Sequence, residues 1–122
     1  MIKVRSEPAV ERDPEGGWTL VLWMGQPFDY GTPFRDALRD AAEVLSRETP
    51  ASVELPKHQI GEDFVRGTLR IGEEALRVYY EHSLGYLTLS SDREYALHDV
   101  ARRLRQIVKV ANLMRPSNGL AR

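Results

Sequence analysis

The stretch from Ser91 to Met114 constrains the fold more than any other part of the chain. Leu97, Val100, Ala101, Leu104, Ile107, Val108 and Ala111 recur at helical spacing and form one apolar stripe. Ser91 and Glu94 have the S-x-x-E spacing of a capping box, in which each side chain accepts the other residue's backbone N–H. Pro116 cannot continue a helix, and Asn118-Gly119 favours a turn. The spacing therefore predicts a helix of about two dozen residues, about 35 Å long. An antiparallel sheet of about five strands is only about 24 Å across. Such a helix must run diagonally or along the strands, or its last turn overhangs the sheet. An overhang would offer Leu113 and Met114 to a partner or to a second copy.

The sheet beneath it is written in period two. Val65, Leu69 and Ile71 share a face, as do Leu76, Val78 and Tyr80, and Leu87 and Leu89 continue the apolar side. Turns near Gly72-Glu73-Glu74 and His82-Ser83 make this a three-stranded meander. Ahead of it, Thr32-Pro33 opens a helix, with Thr as N-cap and Pro at the first helical position. Phe34, Ala37, Leu38, Ala41, Val44 and Leu45 form its buried stripe, Arg39 and Glu43 make an i,i+4 pair, and Pro50 ends it. Val53 and Leu55 suggest a short strand limited by Pro56, within a long connection over 50–61.

At the N-terminus Ile2 and Val4 alternate with Lys3 and Arg5. Pro8 confines any continuation toward Val10 to a sheet edge. Asp13-Pro14-Glu15-Gly16-Gly17 is a turn, and Trp18 to Met24 reads as an interior strand, so the first two strands form a hairpin. The order is β-β-α-β-β-β-α. The expectation is an α+β fold: one antiparallel sheet of about five strands with two helices packed on one face. Residues 1–122 form one domain, with 115–122 as a flexible tail.

Composition excludes more than it identifies. With 18 acidic and 17 basic residues, the net charge of −1 argues against a general polyanion binder. There is no cysteine, so neither a disulfide framework nor a thiolate metal site can form. No apolar run approaches the ~20 residues of a membrane span, and no signal-peptide core is present. A cytoplasmic protein with no membrane association is expected.

No catalytic pattern emerges. His58, His82 and His98 lack metal-site spacing, although Glu62, Asp63, Glu81 and Asp99 neighbour them in sequence. There is no G-x-S-x-G elbow and no phosphate-binding glycine loop; Gly25 to Gly31 carries Phe28 and Tyr30 between glycines, ahead of a helix. No cofactor or metal is called for. The outward face of the meander is richer, with Arg66, Thr68, Arg70, Arg77, Tyr79, Tyr86 and Thr88. Arginine and tyrosine on a flat sheet suit recognition, although long polar side chains also simply cover a wet sheet face. The run Arg102, Arg103, Arg105, Lys109, Arg115 reads as a solvated helix side that complements the helix dipole.

Three functions follow. The first is a non-catalytic protein-interaction module, of toxin-neutralising (immunity) or adaptor type. It binds through Arg66, Arg70, Arg77, Tyr79 and Tyr86, and a homodimer is a further expectation. The second is a small-molecule site or enzyme with a pocket lined by Trp18, Trp23, Tyr80 and His98. The third rests on element order: helix, three strands and helix over residues 33 to 115 resembles double-stranded-RNA-binding domains. That resemblance implies phosphate contacts at the start of the last helix. Asp92 and Glu94 stand there beside Arg93, and the two acids oppose such contacts.

Overall fold

The computed structural model describes residues 1–24 and 34–111. Its elements are β1 (Ile2–Val4), β2 (Ala9–Arg12), β3 (Trp18–Trp23), α1 (Phe34–Leu45), β4 (Ala51–Glu54), β5 (Phe64–Ile71), β6 (Glu74–Glu81), β7 (Tyr86–Ser91), α2 (Glu94–Leu104) and β8 (Val108–Val110). An antiparallel sheet of six strands runs in the order β2-β3-β7-β6-β5-β4. The α+β class and the antiparallel sheet agree with the sequence, and six strands replace about five.

The alternation seen in the sequence sorts the two faces. Across the inner face Val65 pairs with Tyr80, Tyr80 with Leu87, and Leu87 with Leu22. Leu69, Leu76, Val78, Leu89 and Leu20 extend this layer, and all are nearly inaccessible. α1 packs over β4 and β5, α2 packs over β3 and β7, and the helices meet each other. The whole expected α1 stripe is buried, and Ala42 joins it. Burying one such Leu contributes about 2 kcal/mol, so this layer is the principal source of stability.

Two glycines allow close approaches. Gly67 lies opposite Val78, and a Cβ there would stand 2.3 Å from the Glu54 carbonyl oxygen, so β4 can lie down only beside glycine. Gly85 has φ +64°, and a Cβ would come within 1.9 Å of the Met24 carbonyl; its own carbonyl accepts the Met24 N–H at 2.6 Å.

Several expectations are corrected. The final helix spans Glu94–Leu104, not Ser91 to Met114. Ile107, Val108 and Val110 fit an extended chain as well as a helix, because they are β-branched. β1 decides between these conformations: it pairs parallel with β8, Ile2 with Val108 and Val4 with Val110. β1 therefore does not enter the hairpin. The hairpin partner of β3 is β2, which is an edge strand, as Pro8 requires.

The capping box is also absent. Ser91 ends β7; its Oγ accepts the Arg93 N–H at 3.0 Å and donates to Glu74 at 3.3 Å, while Arg93 stands at the N-cap without a side-chain cap. Arg39 pairs with Asp36 at 2.9 Å, where Glu43 was expected. α1 ends at Leu45, ahead of Pro50. The 25–31 loop, the Thr32-Pro33 cap, Leu113, Met114 and the 115–122 tail lie outside the described residues.

Candidate binding surface

The outer face of the six-stranded sheet carries a row of four aromatic rings. Odd positions of β3 and β6 and even positions of β5 and β7 point this way, which brings Trp23, Tyr86, Tyr79 and Phe64 together from four adjacent strands. Ring centroids are 4.7 Å apart for Trp23–Tyr86, 6.4 Å for Tyr86–Tyr79 and 6.3 Å for Tyr79–Phe64. Contacts of this kind contribute about 1 kcal/mol each beyond area burial. Guanidinium groups lie on the row: Arg5 is 5.3 Å from the Trp23 centroid, and Arg66 is 5.8 and 5.6 Å from Phe64 and Tyr79. Phe64 remains 59% exposed, a large apolar ring left in water.

Beside the row the sheet face sinks into a trough of about 730 Å³. Its floor is made of short residues: Thr19, Thr88 and Ser90 are buried, and Thr19 Oγ1 lies 2.9 Å from Ser90 Oγ. Taller side chains form the walls. Glu11, Asp13 and Glu15 stand on the β2–β3 hairpin, Arg66 and Arg77 on β5 and β6, and Tyr79 and Tyr86 at one end. Asp13 shapes its rim by accepting the Glu15 and Gly16 N–H groups, through Oδ1 and the backbone carbonyl respectively. Arg77 reaches Asp92 only at 4.0 Å. Among the described residues Arg66, Glu11 and Glu15 make no ion pair.

The acids set the local potential. Burial and then the hydrogen bond to Glu81 push the Tyr79 hydroxyl up to about 12; that bond, donated by Tyr79, is 2.6 Å long. Tyr86 is pushed up as well, first by burial and then by the charges of Glu11, Asp13 and Glu81.

Four of the five sheet-face residues read from the sequence thus surround one depression: Arg66, Arg77, Tyr79 and Tyr86. Arg70 shares the face but lies toward its far end, beside Glu54 at 3.9 Å. The four residues of the alternative pocket do not come together. Trp18 packs against the core under the Arg12 guanidinium, and Trp23 joins the outer row. Tyr80 stacks on Phe34 in the core at 4.1 Å, and His98 is exposed on α2, 3.1 Å from Glu94. A separate cavity of about 370 Å³ lies between β3 and the segment before β2 on one side and α2 and β8 on the other, with Leu20, Leu22, Ala101, Leu104 and Val108 in its wall.

Two of the three histidines meet on one carboxylate. Glu62, its side chain only 10% exposed, receives His82 Nε2 at 3.0 Å and His58 Nδ1 at 3.3 Å. It also receives the Gln59 N–H at 3.2 Å and Arg35 at 3.5 Å. Burial works to raise the Glu62 pKa, but these donors outweigh it and hold the carboxyl below the ordinary glutamate value. A carboxylate so fully engaged fastens the 55–63 connection to the start of α1 and to the β6–β7 turn. The i,i+4 spacing of His58 and Glu62 was visible in the sequence, whereas His82 arrives only through the fold. Among the described residues no three His, Asp or Glu side chains are grouped to hold a metal ion, and no helix is long and apolar enough to cross a membrane. No family model matches this chain, and neither curated proteins nor solved structures provide a match.

Proposed function

We propose that this protein is a non-catalytic interaction module, acting in the cytoplasm, that receives a partner protein on the outer face of its six-stranded sheet. One observation carries the reading: four aromatic rings in a row beside a trough whose walls bear charges of opposite sign, with Arg66, Glu11 and Glu15 in no ion pair among the described residues. Exposed Phe64, three half-buried rings and the arginines around buried small residues supply anchors and a recess for a partner's side chains. Ring rows on sheets also stack nucleic-acid bases. Here Glu11, Asp13, Glu15 and Glu81 would repel phosphates, which favours a protein. Within this class a toxin-neutralising or adaptor role fits a small cysteine-free α+β domain. That finer assignment rests on class alone.

A second reading, small-molecule binding, draws on the 370 Å³ cavity under α2. Its wall combines aliphatic side chains with the charged Glu7 and Arg105. One experiment separates the two. The full chain is immobilised, partner is captured from the native lysate, and the Kd of the captured protein is measured. Tyr79→Ala and Arg77→Ala should each weaken it about tenfold. Unchanged affinity in both variants removes the sheet-face reading.

A further inference from the structure

Among the described residues, one ring of the aromatic row lacks a guanidinium. Trp23 carries the Arg5 guanidinium, and Phe64 and Tyr79 share that of Arg66. Tyr86, in the middle of the row, has no cation over its ring among the described residues. Arg12 lines the same trough but lies on Trp18, 5.0 Å from its centroid. Tyr86 is also where the acids converge. Glu81 is its direct cross-strand neighbour, and Glu11 and Asp13 stand on the wall it faces. Their charges raise the energy of a tyrosinate there, after the larger effect of burial. An aromatic face flanked by carboxylates that have no ion-pair partner among the described residues attracts a cation through both the ring quadrupole and simple Coulomb forces. An anion or a neutral group gains neither.

We propose that the end of the trough over Tyr86 is the seat of an arginine or lysine side chain contributed by the partner protein. The proposal rests on the sheet-face reading above and adds the chemistry of the contact. Arg66 and Arg77 on the opposite wall sharpen it, because they repel a cation placed anywhere but on the acidic side.

The probe is N-acetyl-arginine amide, titrated into the full chain and followed by NMR, with N-acetyl-norleucine amide as the neutral control. Saturable shifts at Tyr86 and Thr88, with a Kd of about millimolar order, are expected for the arginine probe alone. Glu11→Gln, a conservative change at an exposed position, should weaken binding about fivefold, and Tyr86→Leu should abolish it. No saturable shift, or equal binding of the neutral probe, overturns the proposal. In the partner-capture assay, loss with Tyr79→Ala but full retention with both Glu11→Gln and Tyr86→Leu also overturns it, while leaving the sheet-face reading intact. Capture unaffected by Tyr79→Ala removes both.

Discussion

The Glu62 carboxylate draws donors from three parts of the chain: the start of α1, its own loop and the β6–β7 turn. Hydrogen bonds to a charged, poorly solvated group contribute more than neutral ones, so Glu62→Gln should destabilise the fold by about 2 kcal/mol at neutral pH. The pH dependence follows from the lowered pKa. Below its unfolded value the unfolded chain binds a proton that the folded chain resists, so acid favours unfolding. The contribution is complete above the ordinary glutamate value and is lost as pH falls from there through the folded-state pKa. Urea midpoints for the native chain and Glu62→Gln should therefore converge on acidification through this range. A gap that stays constant down to pH 3 contradicts the assignment. Little of this site was legible in the sequence. His58 and Glu62 are four apart, but nothing local announces that His82, twenty residues on, shares the same oxygen.

At the scale of elements, Arg103 shows how a charge read as solvated becomes part of the core. Helical periodicity places it in the basic run, yet its side chain is only 8% exposed. Its Nη2 donates to the Leu45 carbonyl at 2.6 Å, at the end of α1, and its Nη1 reaches Asp99 at 3.4 Å. The side chain thus pins one helix to the other while its apolar stem fills the gap between them. Arg103→Met keeps the stem and removes the bonds. A loss of about 1.5 kcal/mol is expected in urea denaturation, and an unchanged midpoint would show that the bonds add nothing. A turn after Leu104, closed by the Ile107 N–H on the Leu104 carbonyl at 2.9 Å, ends the helix short of its expected length. Leu104, Ile107, Val108 and Ala111 satisfy helical spacing, and pairing with β1 is what makes Val108–Val110 a strand. β1 lies a hundred residues away, beyond the reach of any local pattern. By contrast, the meander and the buried stripe of α1 were legible, because their apolar periodicity coincides with the core that buries them.

For the molecule as a whole, the sheet divides two kinds of surface. One face is spent on the two helices and holds nearly every large aliphatic side chain. The other is uncovered by any described element, yet it carries four rings, acidic side chains and Arg66. Alternation in the sequence placed Arg66, Arg77, Tyr79 and Tyr86 on this face. It could not show that Trp23 and Phe64 complete the row, because strand order and register decide which rings become neighbours. It was equally silent on the acidic wall, since Glu11, Asp13 and Glu15 belong to a distant hairpin. The proposed function requires that a partner cover this outer face. Hydroxyl-radical footprinting of the full chain, free and bound to its captured partner, tests it most directly. Tyr95 on α2, 66% exposed and remote from the row, serves as the internal reference. Binding should suppress oxidation of Phe64, Tyr79 and Tyr86 and leave Tyr95 unchanged. Protection of Tyr95 with the three sheet residues unaffected would contradict the account.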